Sequence, residues 1–198
     1  MTWKTHLIGG VAACAGTVLL CHKVTEVNIQ MDGLVPVLIV SGVSALLPDV
    51  DEIRSKAGRA LLPVSLIFFI IQSVIKIVTV FTFGKLRRKI KENTAFLMHH
   101  GICHYPITIL FTSTAACIAA IALSDNKRMW LILVAAFTIG LLSHIILDIV
   151  SGKIALLFPI SKKRMGIKII ETGGTLETMI VRPALLILCI TLIKRIMR

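Results

Sequence analysis

The 198-residue chain is 56% hydrophobic and 16% charged, with a mean hydropathy of +0.90. A soluble domain of this length carries about a quarter charged residues, and a disordered chain has low hydrophobicity, so the composition excludes both classes. The net charge of +12 favours membrane lipid over nucleic acid as a partner, because basic residues of membrane proteins collect at the cytoplasmic face and contact anionic lipid.

Five apolar segments are long enough, or nearly so, to cross a membrane. We predict spans at Leu7–Cys21, Leu34–Leu47, Ile107–Leu123, Met129–Val150 and Ile180–Ile193. The stretch Leu61–Phe83 is equally apolar, but it carries one polar stripe at helical spacing, formed by Ser65, Gln72, Lys76 and Thr79. Such a stripe is typical of a helix that lies in the interface or folds against the bundle. The sequence therefore predicts an all-α polytopic membrane helical bundle, one domain over residues 1–198, with about five spans plus one interfacial or re-entrant helix.

Ionisable residues in membrane segments mark functional sites, and here they gather at the ends of the predicted spans. They are His6 before the first span, Asp49, Asp51 and Glu52 after the second, His99, His100 and His104 before the third, and His144 and Asp148 near the end of the fourth. Imidazole and carboxylate groups, without a paired CxxC motif, suit zinc, manganese or iron. We therefore predict a site for one or two divalent metals, beside which a carboxylate such as Asp51 positions or deprotonates a water.

Each motif also has a purely structural interpretation. His144 and Asp148 are four residues apart, so they share a helix face and can form a simple hydrogen-bonded pair. The segment Pro48-Asp49-Val50-Asp51 can be a helix-stopping turn. Glu177 can be a further ligand or a cap of the last span. The basic run Lys85–Lys91 can be a positive-inside anchor or can recruit an anionic lipid or phosphorylated substrate.

The motifs and their order resemble the YdjM family over the chain from His6 to about Glu177. The resemblance rests on His6, Leu46-Leu-Pro-Asp-Val-Asp51, His99 with His104, Ser143-His-Ile-Ile-Leu-Asp148 and Thr172-Gly-Gly-Thr-Leu-Glu177. It implies a LexA-regulated, inner-membrane, metal-dependent hydrolase. The metal ligands that it implies are His6, Asp49, His99, His104, His144 and Asp148, and Asp51 and Glu52 are our candidate catalytic carboxylates.

The resemblance also implies zinc and a phosphoester or lipid-linked substrate, by analogy with zinc-dependent phospholipases C and nucleases. The chain differs from the family pattern at Glu52, Cys103, Tyr105 and Ile154, so a non-catalytic metal-binding or stress-response protein of the membrane is the alternative. The ligands can meet only if Leu61–Phe83 does not cross the bilayer. Most of the 22 Lys and Arg residues then lie on the face of the site, which the positive-inside rule makes the cytoplasmic face of the bacterial inner membrane.

Overall fold

The computed structural model describes residues 1–25, 31–94, 97, 102–152, 154, 156, 158, 161 and 163–198. Its α-helices are α1 (Trp3–Thr25), α2 (Met31–Ser44), α3 (Lys56–Ala60), α4 (Leu62–Val80), α5 (Gly84–Thr94), α6 (Pro106–Leu123), α7 (Lys127–Ser151) and α8 (Arg182–Ile196). Short 3₁₀ turns cover Leu47–Asp51 and Ile102–His104, and a π turn, Glu177–Val181, leads into α8. No β-strand forms within these residues, so the prediction of an all-α bundle is confirmed.

The centre of the bundle is a three-helix contact between α1, α2 and α7, with α6 packed on α7 and α8 packed on α1. Buried apolar residues fill its interior, among them Cys14, Leu34, Val37 and Ala136. Small residues bring the helices close together, as is common in membrane interfaces, and the Ser41 hydroxyl donates a hydrogen bond to the Gly10 carbonyl at 2.9 Å. The first turns of α1 and the last turns of α2 and α7 therefore meet at one end of the bundle.

Among the residues that the structure describes, five helical segments are long and apolar enough to cross a membrane: Trp3–Val24, Gly33–Asp51, Leu62–Val80, Pro106–Leu123 and Lys127–Ser151. The number of candidate spans equals the number predicted, but one predicted span is replaced by another segment. The predicted span Ile180–Ile193 is not in this set, because a π turn occupies its first residues and the α-helical part of α8 is only 15 residues long. The segment Leu62–Val80, predicted to be interfacial, is long and apolar enough to cross a membrane.

The contacts of α4 place its middle at the end of α2. Ser65, Gln72 and Thr79 are its buried residues, so three of the four residues of the predicted polar stripe face the protein, while the fourth, Lys76, is exposed. The Ser65 hydroxyl donates to the Gly58 carbonyl at 2.7 Å, and the Gln72 amide donates to the backbone carbonyl of Asp51 at 3.1 Å. The opposite face is apolar and exposed, with Ile67, Phe69, Ile70, Val74 and Ile77.

The path of the chain supports an interfacial position for α4. Asp51 and His104 lie at the same end of the bundle, and α4 is the only candidate span in the described residues between them. A single crossing by α4 would place His104 at the opposite end unless α5 returned. Helix α5 has 11 residues with six charged side chains, so it is about 16 Å long and cannot span a bilayer.

Candidate metal centre

His144 is fixed in orientation by a backbone carbonyl of the neighbouring helix. Its buried ring places Nδ1 2.7 Å from the carbonyl oxygen of Ala45, and because a carbonyl only accepts, Nδ1–H is the donor. The lone pair of Nε2 then points to the interior, where Asp148 Oδ2 lies 3.2 Å away. Fixing one ring nitrogen so that the other can bind a cation is the usual arrangement of metal-ligating histidines.

His104 and Asp49 reach the same point from two 3₁₀ turns. His104 Nε2 lies 3.2 Å from His144 Nε2, 3.5 Å from Asp49 Oδ1 and 3.6 Å from Asp148 Oδ2. His144 Nε2 is also 3.6 Å from Asp49 Oδ1. Imidazole nitrogens and carboxylate oxygens are thus directed at one small volume.

His6 enters the cluster from the first turns of α1. Its ring stacks on that of His144 with centroids 3.9 Å apart, and its Nε2 lies 3.3 Å from Asp148 Oδ1. The ring is buried, and its Nδ1 has no hydrogen-bond partner among the described residues. The structure therefore brings together five of the six predicted ligands: His6, Asp49, His104, His144 and Asp148.

The spacing of these donors fits a metal. They form two triads that share His144: His6, His144 and Asp148, and Asp49, His104 and His144. Separations of 3.2 to 3.6 Å recur among the donor atoms. Bonds of about 2.0–2.1 Å in tetrahedral geometry place neighbouring ligand atoms about 3.3–3.4 Å apart. The buried His/Asp cluster could therefore hold a divalent cation, and its nitrogen and oxygen donors suit the metals that the sequence indicates.

The two predicted catalytic carboxylates occupy different positions. Asp51 is 2% exposed, and its Oδ2 lies 3.8 Å from His104 Nδ1, on the side of the ring away from the ligand nitrogen. Glu52 is partly exposed and accepts a hydrogen bond from the backbone N–H of Arg54 at 3.2 Å. Asp51 thus stands behind a ligand, whereas Glu52 stands beside the opening of the site.

A small polar cavity of about 190 Å³ leads to the cluster. It is lined by Met1, Asp49, Glu52, Ser55, Asp148, Ser151, Gly152 and Thr172. The amine of Met1 donates to Asp148 Oδ1 at 3.2 Å and to the Ser151 hydroxyl at 3.1 Å. Two candidate ligands line this cavity, and of these Asp49 is partly exposed whereas Asp148 is buried against the Met1 amine.

Glu177 binds the start of α1 and does not face the cluster. Its Oε1 accepts hydrogen bonds from the Thr2 amide at 2.7 Å and from the hydroxyls of Thr2 and Thr5 at 2.6 and 2.5 Å, and its Oε2 accepts one from the Gly173 amide at 2.7 Å. Burial by itself raises the pKa of this carboxyl, but the hydrogen bonds outweigh burial and hold the pKa at about 2. Glu177 therefore fixes the turn that carries His6.

Sequence reasoning missed Thr2 and Thr5, since no local pattern pairs them with a residue so far along the chain.

The remaining residues of the His99–His104 motif add one restriction on the ligands. His99, a predicted ligand, and His100 lie outside the described residues. Burial, together with the charges of Asp51 and Asp49, raises the pKa of the Cys103 thiol to about 12. A bound cation would lower this pKa, so geometry decides the donor set, and Cys103 belongs to neither of the two triads.

Comparison with known proteins identifies one family. A family model described as YdjM inner membrane protein matches residues 1–197. Comparisons with curated proteins and with solved structures found no match. The family match spans every residue of the buried cluster.

Proposed function

Because the chain belongs to the YdjM family of inner membrane proteins, we propose that it is a metal-dependent hydrolase of a phosphoester or lipid-linked substrate at the cytoplasmic interface of the membrane. The convergence of four buried His and Asp side chains with the partly exposed Asp49 is the observation that carries this proposal. Burying ionisable groups in a membrane protein is costly, and such groups are rare unless they serve a function. Their position at the ends of helices, beside a polar cavity, favours an enzyme over a transporter, whose site lies near the bilayer midplane.

The ligands in the proposal are His6, Asp49, His104, His144 and Asp148, and the proposed metal is zinc. A bound divalent cation lowers the pKa of a water and polarises a phosphoryl oxygen. Zinc is favoured because buried imidazole and carboxylate donors at these separations match its preferred tetrahedral geometry. The polar cavity of about 190 Å³ admits the head of a substrate, and the remainder of a lipid-linked substrate stays in the surrounding bilayer.

Two carboxylates have separate tasks in this proposal. Glu52 lines the cavity and accepts a proton from the attacking water, as a general base must lie within reach of the proton that it removes. Asp51 faces His104 Nδ1 and orients that ring. A carboxylate behind a ligating histidine commonly fixes the ring and raises its basicity.

The test is metal analysis of the purified full-length protein together with hydrolysis of bis(p-nitrophenyl) phosphate. We expect the wild type to retain zinc and to hydrolyse the diester, and the variants His144→Ala and Asp49→Ala to lose both properties. His22→Ala is the matched control, because His22 is exposed near the end of α1 opposite the cluster. Metal removal by a chelator should abolish hydrolysis, and added zinc should restore it.

The outcome separates the proposal from its alternative. Metal bound by the wild type without hydrolysis of any phosphoester would favour a non-catalytic metal-binding protein. Equal metal content in the wild type and in both ligand variants would contradict the metal centre itself.

A further inference from the structure

A second candidate site, with cationic side chains beside the apolar Ile75 and Val80, lies between α4, α5 and the chain at Arg164. This basic cleft has a volume of about 430 Å³, and its polar wall consists of Lys76, Thr79, Arg87, Lys91, Thr94 and Arg164. Four of these six side chains are cationic, and no acidic residue lines the cleft in the part of the chain that the structure describes. None of the candidate metal ligands belongs to it.

The cations are brought together by helical spacing. Arg87, Lys91 and Thr94 are four and three residues apart and share one face of α5, while Lys76 lies on the facing edge of α4. The hydroxyls of Thr79 and Thr94 donate to carbonyls of their own helices, those of Ile75 and Ile90, at 2.6 and 2.8 Å. The cationic side chains are therefore the groups that remain for binding a ligand.

The acidic residue nearest in sequence to these cations is engaged elsewhere. Glu92 lies 3.4 Å from Arg88, which is 84% exposed, and neither residue lines the cleft. Like charges gathered in one concave space repel each other and raise the local concentration of anions. The cleft thus has the charge of an anion-binding site.

We propose that the basic cleft binds the phosphate of an anionic membrane phospholipid. The apolar face of α4 is exposed alongside it, and Phe81 and Phe83, in the turn between α4 and α5, are 76% and 81% exposed. Apolar and aromatic residues next to a basic helix are typical of a segment that inserts into the headgroup boundary of a bilayer. Cations just above that boundary meet anionic headgroups.

A lipid bound in the cleft would also affect the metal centre, because α4 connects the two sites. Thr79 follows Gln72 by seven residues, about 10 Å along α4, and Gln72 contacts the backbone of Asp51. A lipid headgroup in the cleft therefore holds α4, and through it the turn that carries Asp49 and Asp51, at the membrane surface. Lipid binding itself does not rest on the proposed hydrolase function, because the cleft uses none of the metal ligands.

The experiment is lipid competition followed by native mass spectrometry of the full-length protein in detergent, with equal amounts of phosphatidylglycerol and phosphatidylcholine. We expect the wild type to retain phosphatidylglycerol in preference. The variant Lys76→Gln/Arg87→Gln/Lys91→Gln should bind it about 100-fold more weakly. The variant Lys85→Gln/Arg88→Gln/Lys89→Gln removes the same charges outside the cleft and should keep the preference.

Three results would overturn the proposal. Equal losses in the two triple variants would show a general charge effect, and equal retention of the two lipids by the wild type would show no anion preference. Displacement of phosphatidylglycerol by inorganic phosphate would assign the cleft to a soluble phosphate. The single variant Arg87→Gln, with a smaller loss, supports the proposal if the triple variant misfolds. The lipid preference should persist in His144→Ala, which separates failure of lipid binding from failure of the metal site.

Discussion

At the scale of single residues, the candidate metal centre depends on which nitrogen of each histidine faces inward. The Ala45 carbonyl fixes His144 by accepting from Nδ1–H, and the Asp51 carboxylate stands behind His104. These two supports are different in kind, because one comes from the backbone and the other from a replaceable side chain. Only the second can be tested by substitution.

The variants Asp51→Asn and Glu52→Gln should separate positioning from proton transfer. Asn cannot supply the negative charge behind His104, so we expect Asp51→Asn to weaken zinc affinity about 10- to 100-fold, as loss of an outer-shell partner does. Glu52→Gln should leave zinc affinity unchanged, lower kcat, and remove the acidic limb of the pH–rate profile, because the group that must be deprotonated is gone. The measurements are zinc titration against a chelating dye and kcat as a function of pH. Unchanged zinc affinity in Asp51→Asn would contradict the positioning role.

The sequence could predict which residues gather, but it could not assign all of their roles. His144 and Asp148 share a helix face by their spacing alone, and their position at a span end indicates a site. Asp49 and Asp51 are only two residues apart in a 3₁₀ turn, yet one faces His104 Nε2 and the other faces Nδ1. The direction of each side chain depends on where the 3₁₀ turn meets His104, and this long-range contact leaves no local signal.

At the scale of helices, the site depends on the close approach of α2 and α7. A Cβ added to Gly140 would overlap the Ser44 hydroxyl and the Ser41 carbonyl. Ala45 directly follows the last residue of α2, and His144 lies one turn after Gly140 on α7. The glycine therefore sets the helix separation at which the Ala45 carbonyl can accept from His144.

The variant Gly140→Ala should lower both stability and metal affinity. The added methyl group must push α2 away from α7, and overpacking of this kind costs about 1–3 kcal/mol. Gly16→Ala is the matched control, since a Cβ there would lie 3.8 Å from Leu192, an ordinary contact. Thermal unfolding and zinc titration of the two detergent-solubilised variants measure the difference. Equal unfolding temperatures would show that the helices can separate without cost.

The helices could be predicted to different extents. The polar stripe of α4 is a local pattern with a period of 3.6 residues, and the structure buries three of its four residues, Ser65, Gln72 and Thr79. The π turn before α8 was missed, because nothing in Glu177–Val181 distinguishes it from an α-helical turn. It coincides with the contacts of Glu177 to Thr2 and Thr5, and those contacts join opposite ends of the sequence.

At the scale of the whole molecule, the proposed functions of the metal centre and the basic cleft both require that one end of the bundle lies at a membrane surface. His6, Asp49, His104 and His144 can meet only if the chain crosses the bilayer an even number of times between each pair of neighbouring motifs. The positive-inside rule predicts that this end is cytoplasmic, since the basic residues of α5 and Arg164 lie there. The opposite end then includes the connection between α6 and α7.

Cysteine labelling in intact cells tests this topology. In a chain whose five native cysteines are replaced by alanine, Asp125→Cys should react with a membrane-impermeant maleimide added outside. Lys89→Cys, on α5, should react only after the cells are opened, because α4 stays on the cytoplasmic side with Asp51. The pair is matched, since both positions are exposed and polar in the native chain. Labelling of Lys89→Cys from outside would mean that α4 crosses the bilayer or that the whole bundle is inverted. Lys23→Cys, at an exposed position near the end of α1, distinguishes these two cases, because it reacts from outside only in the first.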